Sequence, residues 1–300
     1  MITGPILKLK HTFTPVLVRN KRHFSDSTFF GSFSEKWWNI DGEFSILHDY
    51  NQVRVPFIAE SYLLSGNDSY KDTCCNKIFQ PFRKIRAYGN LHVESILNGL
   101  DVLDIGCGGG ILTESLAKYG CKVLGIDPSS ELIKAANIHK EHFSKHNLKF
   151  GLKDNYTNHL EYKVSTVQEH LELKRKYDIV IASEVIEHIE NKDKELFLYH
   201  LSELVKPSGI LVLTSPGASL KSYIVNILLA ERVFHKVPKS THKFDLFISD
   251  RDCIRILKKY SFELVNKQGL LYLPYVRRFI PIGSRDLLYM IAFKNSTKQI

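Results

Sequence analysis

Short apolar runs alternate with longer amphipathic stretches from residue 101 onward. The runs predict five β-strands, over 101–105, 122–126, 162–164, 177–182 and 210–214. The stretches between them predict helices, over 111–119, 131–143 and 194–205. Strands and helices that alternate at this spacing indicate an α/β fold, with a mostly parallel sheet and helices on both faces.

The pattern is less regular before residue 101. Residues 37–58 suit a helix that packs on the rest of the protein, and residues 92–97 suit a short amphipathic helix. The polar, lysine-rich stretch 64–90 lies between them and predicts a linker or insertion. We therefore divide the chain into an N-terminal segment 1–24, a helical segment 25–63, the insertion 64–90 and a main domain 91–295.

Composition agrees with a globular protein and excludes several other classes. Of the 300 residues, 44% are hydrophobic and 24% are charged, which excludes collagenous, coiled-coil and wholly disordered chains. No stretch approaches about 18 uninterrupted apolar residues, so we expect no transmembrane helix. Five scattered cysteines argue against a disulfide framework and for a reducing compartment.

The formal net charge of +9 is unusual, and much of it lies at the N-terminus. Five Lys and Arg residues precede the first acidic residue, Asp26, which is typical of a mitochondrial transit peptide. The segment 22–25 also resembles a matrix processing site. A disordered basic tail is the alternative, and Pro5 and Pro15 disfavour a single amphipathic helix. If residues 1–24 are removed, the remaining excess of positive charge is small and gives little reason to expect a nucleic-acid partner.

A glycine-rich loop follows the first predicted strand of the main domain. Glycines at 106, 108, 109 and 110 permit a tight turn and a close approach of ligand to backbone. Amides at the start of the next helix favour a negative or polar group. A dinucleotide loop would require a further glycine at Ile111, so that pattern is broken.

Two carboxylates near the loop could contact the ligand, and only the first of them discriminates between the ligand classes. Asp104, two residues before Gly106, suits the cationic amino-acid group of S-adenosylmethionine. Asp127 ends the second strand, where an acid can accept hydrogen bonds from ribose hydroxyls in both methyltransferases and nicotinamide enzymes. The loop spacing with the preceding acid favours S-adenosylmethionine. A nicotinamide-dependent oxidoreductase and a glycine turn without ligand remain alternatives.

A second acidic cluster directly follows the fourth predicted strand. On a helix that starts there, Glu184, Glu187 and His188 would share one side and could hold Mg²⁺ or a transition ion. Such an ion would keep positions open for two vicinal oxygens of a catechol and favour the phenolate. Three alternatives stay open: glutamates favoured by the helix dipole, an arrangement shared with methyltransferases that use no metal, and His188 as a lone general base.

Several segments resemble one family, the ubiquinone-biosynthesis O-methyltransferases. The segments are 36–44 (Lys-Trp-Trp-Asn-Ile-Asp-Gly-Glu-Phe), Leu47-His48, Asn51 with Arg54, the loop 101–114, Glu184 with Glu187 and His188, 237–242 (Val-Pro-Lys-Ser-Thr-His) and 271–274 (Leu-Tyr-Leu-Pro). The glycine loop is common to many methyltransferases, whereas 36–44 and 237–242 are more specific. The likeness spans roughly 35–293 without the insertion.

The resemblance implies a class I methyltransferase, with a Rossmann-like seven-stranded sheet and an N-terminal helical cap. It implies O-methylation of catechol-type hydroxyls on polyprenylated rings, namely a dihydroxybenzoate and a demethylubiquinol. The enzyme would act within a multi-subunit complex on the matrix side of the mitochondrial inner membrane. By position, Arg54, Gly106, Asp127 and Ser183 would contact the cofactor. Glu184, Glu187 and His188 would hold the divalent metal, and Glu187 and His188 would be catalytic.

The chain departs from the family pattern in three places. Residues 214–218 read Thr-Ser-Pro-Gly-Ala where the family has Ser-Thr-Ile-Asn-Arg or similar, so substrate contacts there cannot be carried over. Ser240 replaces a usual glycine. The stretch 275–285 also differs, and its contacts cannot be transferred.

Residues 221–239 combine an apolar face with basic flanks. Such a segment predicts either an interfacial membrane helix or one that packs on the core or covers the substrate. Three further functions compete with the one above: methylation of another small molecule, a catalytically silent scaffold, and nucleic-acid methylation. The presence of Asp104, Asp127 and the Glu/His cluster argues against a silent scaffold. The sequence after the fourth strand lacks the Asn/Asp-Pro-Pro-Tyr-like motif of base methylation, which argues against a nucleic-acid methyltransferase.

Overall fold

The structure is a computed structural model that describes residues 37–42, 44–66, 90–150, 156–217 and 246–297. The predicted transit peptide, most of the insertion, the segment 221–239 and the motif 237–242 lie outside these ranges. The domain boundaries drawn from the sequence therefore stay predictions.

The described residues form one sheet with helices packed around it. Its strands are β1 (Asp101–Ile105), β2 (Lys122–Asp127), β3 (Leu160–Val164), β4 (Tyr177–Ser183), β5 (Val205–Pro216), β6 (Phe262–Leu273), β7 (Arg278–Ile282) and β8 (Leu288–Asn295). The helices are α1 (Ser45–Leu64), α2 (Asn90–Leu97), α3 (Ile111–Ala117), α4 (Ser130–Phe150), α5 (Val167–Leu171), α6 (Lys194–Glu203) and α7 (Asp250–Lys258).

The strand order is β3-β2-β1-β4-β5-β8-β6-β7. The first five strands in this order are parallel, and β8, β6 and β7 pair antiparallel to their neighbours. The α/β class with a mostly parallel sheet is confirmed. The sheet has eight strands, one more than predicted, and β7 lies at its edge.

Alternate residues of the central strands face two separate hydrophobic layers. Val102 and Ile179 belong to the layer that includes α1, α2 and α3, and Leu103 and Val180 belong to the layer that includes α6 and α7. Strands covered on both faces are apolar along nearly their whole length, which explains the runs read from the sequence. The N-terminal helix α1 is therefore part of the main core.

Some predicted boundaries differ from the structure. The helix predicted over 194–205 ends at Glu203, because residue 205 already pairs with Tyr177 at the start of β5. The helix predicted to end at residue 143 continues to Phe150. No helix among the described residues is long and apolar enough to cross a membrane.

Candidate functional site

The glycine loop joins β1 to α3 at the carboxyl edge of the sheet. Gly106, Gly108 and Gly110 have φ angles of +67°, +56° and +87°, in the left-handed region that favours glycine. A Cβ atom on Gly106 would also lie 2.6 Å from Cγ2 of Val185. The tight turn predicted from the sequence is thus present, and its backbone passes directly beside the segment that follows β4.

Asp104 lies beneath this loop, at the penultimate position of β1. Its side chain is 2% exposed, and Thr113 Oγ1 donates a hydrogen bond to Asp104 Oδ2 at 2.7 Å. Burial raises the pKa of Asp104 from its ordinary 3.8 to about 6, against the opposing effects of Thr113 and Arg54. A buried carboxylate with a raised pKa gains from a cationic ligand.

Asp127 ends β2 beside the loop. Its Oδ2 accepts a hydrogen bond from Gly108 N at 3.0 Å, and its Oδ1 accepts one from Ser129 N at 2.8 Å. A carboxylate oxygen can accept more than one hydrogen bond, so this group also suits a ligand hydroxyl. The structure brings Asp104, Asp127 and the glycines to one place, as the sequence predicted.

Arg54 reaches the same edge from α1. Its Nη1 donates to Ser183 Oγ at 2.8 Å and its Nη2 donates to Leu47 O at 3.1 Å, while its guanidinium lies 4.4 Å from the ring centroid of Tyr50. The Nε–H group is buried and has no hydrogen-bond partner within the described chain. Burial lowers the pKa of Arg54, and Glu184 and Asp104 oppose that shift. A buried unsatisfied donor is costly, so this one suggests a missing acceptor.

The acidic cluster after β4 is present, but the α-helix predicted there is wrong. Glu184 has φ +58°, and the segment Ile186–His188 is one 3₁₀ turn. The backbone is held in this form because Glu184 N donates to Thr214 O at 3.0 Å, on the neighbouring strand β5. The side chains therefore do not share a helix face at the predicted spacing.

The two glutamates nevertheless lie close to each other. Thr214 Oγ1 donates to Glu184 Oε1 at 2.7 Å, and Ser215 Oγ donates to Glu187 Oε2 at 3.3 Å. Burial and then the charge of Glu187 raise the pKa of Glu184 to about 8. Burial also raises the pKa of Glu187, whereas His188 opposes the shift. Two carboxylates that lie this close, with Glu187 buried and Glu184 half-buried, suit a shared proton or a cation.

A metal centre with three donors is not evident. Among the described residues, no group of three or more His, Cys, Asp and Glu is arranged to hold a metal ion. Glu184 and Glu187 supply the oxygen ligands that Mg²⁺ prefers, but His188 is not grouped with them as a third ligand. The donor chemistry of the pair fits a hard cation, and the magnesium assignment stays a prediction.

Sequence reasoning missed three side chains at this site. Tyr50 is 3% exposed, and Glu184 and Glu187 add to burial in raising its pKa well above the ordinary value. Thr214 and Ser215 anchor the two glutamates. Tyr50 lay within the helix predicted over 37–58, and only the departure from the family pattern at 214–218 marked Thr214 and Ser215 as unusual.

Comparison with known proteins reveals a common family. The family described as "Methyltransferase domain" matches residues 79–267. Ubiquinone biosynthesis O-methyltransferases of Rhodopseudomonas palustris (strain HaA2) and Rickettsia typhi are 31% and 32% identical to this chain. The alignments cover 87% and 81% of this chain, and 89% and 81% of those proteins.

A rat protein named as the mitochondrial form is 31% identical, over 82% of this chain and 62% of its own length. A solved structure, magnesium protoporphyrin IX methyltransferase (ChlM) from Synechocystis PCC 6803 with bound SAM, has 18% identity and a TM-score of 0.52. It covers 90% of this chain and 97% of that one, and supports the fold alone.

Proposed function

This chain belongs to the S-adenosylmethionine-dependent methyltransferases, within the ubiquinone biosynthesis O-methyltransferase family, and we propose that it methylates a catechol-type hydroxyl on a polyprenylated ring. One observation carries the proposal. The glycine loop with its two aspartates and the Glu184–Glu187 pair meet at one edge of the sheet, where Arg54 is near both Asp104 and Glu184. A methyl donor and a phenol could therefore bind next to each other.

The residues of the loop suit S-adenosylmethionine. Asp104 would bind the ammonium group, the unsatisfied Nε–H of Arg54 would donate to the carboxylate, and Asp127 would accept from the ribose hydroxyls. Gly106 and Gly108 take the left-handed φ angles that the tight turn of this loop requires. When bound, S-adenosylmethionine supplies a sulfonium methyl group. Arg54 positions Ser183, so that this side of the site is ordered before the phenol arrives.

The acid pair would act on the phenol. Glu187 lies with Glu184 on the segment after β4, and either carboxylate could accept the hydroxyl proton. Glu184, Glu187 and His188 would hold a divalent ion in the metal-dependent form of the proposal, and Mg²⁺ would favour the phenolate there. A metal-free route with Glu187 or His188 as general base is the second candidate. It is favoured by the absence of a three-donor group within the described residues.

The family name suggests the substrates, and the rat relative suggests the compartment. We propose a polyprenyl dihydroxybenzoate and a demethylubiquinol as substrates, on the matrix side of the mitochondrial inner membrane, within a multi-subunit complex. The relatives named for ubiquinone biosynthesis support the proposed substrates. The rat relative and the basic segment 1–24 support the proposed mitochondrial location.

Methyl transfer to a short-chain prenyl dihydroxybenzoate tests this proposal. The purified chain should transfer label from S-adenosylmethionine to this catechol, and should transfer far less to the matched compound with one hydroxyl. Removal of metal with EDTA, followed by Mg²⁺ addition, separates the two routes. Loss and recovery of turnover supports the metal, and unchanged turnover supports the general base. Equal lack of transfer to both compounds would overturn the proposed substrate class.

A further inference from the structure

A short segment before α1 lies across the glycine loop. We call residues 37–42 the tryptophan strap, and it contains both tryptophans of the chain. Trp38 Nε1 donates to Gly109 O at 3.0 Å. The Trp37 ring occupies the space beside Gly109, where a Cβ atom would come within 2.0 Å of Trp37 Cδ1. The strap therefore covers part of the loop that we assign to the cofactor.

Helix α4 also holds this end of the strap. The Trp38 ring stacks on His139, with ring centroids 3.6 Å apart and an interplanar angle of 3°. Trp37 packs with Phe44, Ile111 and Leu132 in a small cluster of its own. The strap thus has its own apolar contacts, outside the two main layers of the core.

Arg277 holds the other end of the strap. This residue lies in the turn between β6 and β7. Its Nη1 donates to Asp41 Oδ1 at 2.8 Å, and its Nη2 donates to Ile40 O at 2.5 Å. The same guanidinium donates through Nε to Asp49 Oδ2 of α1 at 3.2 Å. One side chain therefore bridges the strap, the N-terminal helix and the far edge of the sheet.

Arg277 pairs with one buried carboxylate, Asp49, and one exposed carboxylate, Asp41. Asp49 is 6% exposed and also accepts a hydrogen bond from Tyr272 Oη at 2.9 Å, so its carboxylate is held by two elements. The Asp41 side chain is 77% exposed, and such a pair alone contributes little to stability. The planar guanidinium can serve both acceptors at once, which a lysine cannot do equally well. Release of Ile40 and Asp41 would free the strap while Asp49 stays in place.

We propose that Arg277 is a positioning residue that keeps the tryptophan strap closed over the glycine loop and so slows the exchange of S-adenosylmethionine. The inference rests on the proposed function, because it takes this loop to be the cofactor site. Arg277 acts through the strap and touches no reacting atom. It lies in the stretch 275–285, where the chain departs from the family pattern, so the resemblance does not supply this role.

The two tryptophans provide a direct measurement of the strap. We would displace S-adenosylhomocysteine from the full chain in a stopped-flow instrument and follow tryptophan emission. Arg277→Ala should release the ligand about tenfold faster and weaken binding by a similar factor. Its emission should shift to longer wavelength as the indoles meet water. Turnover at saturating cofactor should stay within about twofold of the wild type.

Matched variants separate this role from general damage. Arg278→Ala changes the neighbouring exposed arginine and should leave the release rate and the emission unchanged. Arg277→Lys should recover part of the slow release, because it keeps a positive charge but loses the planar bridge. Asp41→Asn opens the strap from its exposed end without any change at Asp49, and should speed release in the same direction by a smaller factor.

Two results would overturn the inference while the proposed function stands. One is release from Arg277→Ala at the wild-type rate with unchanged emission. The other is tighter binding by that variant, which would make the strap an obstacle to the cofactor. A wild-type chain that binds neither S-adenosylmethionine nor S-adenosylhomocysteine in calorimetry would overturn the proposed function as well.

Discussion

Arg54 Nη1 donates a hydrogen bond to Ser183 Oγ at 2.8 Å, across 129 positions of the chain. This bond joins the N-terminal helix α1 to the carboxyl end of β4, directly before Glu184. The guanidinium also donates to Leu47 O and lies over the Tyr50 ring. The segment before the main domain therefore completes the site that the sheet begins.

Replacement of Arg54 tests this coupling. Arg54→Lys should raise the KM for S-adenosylmethionine by about ten- to a hundredfold, because the donors of a lysine lie on one nitrogen and cannot reach Ser183, Leu47 and the cofactor from the three positions that the guanidinium nitrogens occupy. Arg175→Lys is a matched control, since Arg175 also lies over a tyrosine ring, that of Tyr177 at 4.9 Å, but is half-exposed and far from the loop. Initial-rate kinetics measure both. An unchanged KM in Arg54→Lys would contradict this role.

Gly106 tests the need for a close backbone approach. Gly106→Ala should unfold more easily than Gly99→Ala, although both residues have positive φ angles, +67° and +82°. The left-handed conformation costs an alanine about 1–2 kcal/mol at either position. At Gly106 a Cβ atom would also meet Val185 Cγ2 at 2.6 Å, whereas at Gly99 it would meet nothing within 4 Å.

Urea denaturation measures both glycine variants. The Gly106→Ala variant should also bind the cofactor more weakly, and Gly99→Ala should bind it normally. Equal loss of stability in the two variants, with normal cofactor binding in both, would show that Val185 moves aside without cost.

The raised pKa of Asp104 predicts a conflict between stability and binding. The folded-state pKa of about 6 exceeds the ordinary 3.8, so the contribution to stability is full below pH 3.8 and is lost as the pH rises through about 6. At pH 7.5 the ionised group costs roughly 3 kcal/mol. Asp104→Asn should therefore stabilise the protein at pH 7.5, with a gain that disappears near pH 4.

The same variant should lose cofactor affinity, because an amide cannot balance the ammonium charge. Affinity in the wild type should fall as the pH drops through about 6, and the variant should lack this dependence. Thermal unfolding and calorimetry at the two pH values measure both effects. A variant that is less stable than the wild type at both pH values would contradict the assigned cost.

The five parallel strands and the glycine loop were predictable because each depends on local pattern, whereas β6, β7 and β8 were not located from the sequence. The runs at 101–105 and 177–182 are buried on both faces, and burial on both faces requires an uninterrupted apolar run. The glycines at 106, 108 and 110 each take a positive φ that other residues avoid. Asp104 and Asp127 could be predicted as cofactor-binding residues from their positions near the carboxyl ends of the first two strands.

The geometry after β4 and the position of the strap were not predictable in this way. Glu184 takes φ +58° because its amide bonds to Thr214 O on β5, a contact between positions that are distant in sequence. The two tryptophans suggested only a packed helix, yet they lie on the glycine loop through contacts with Gly109 and His139. Such features depend on tertiary partners, which no local pattern records.

Methyl transfer by Glu187→Gln, compared with Glu190→Gln, tests the central claim most directly. Both variants remove one negative charge from the same segment, but Glu187 is 7% exposed at the acid pair, whereas Glu190 forms a surface ion pair with Lys192 at 3.1 Å. With a prenyl dihydroxybenzoate, Glu187→Gln should lose about 10²- to 10⁴-fold in kcat while the affinity for S-adenosylmethionine stays unchanged. Glu190→Gln should keep both. Wild-type turnover in Glu187→Gln would contradict the account.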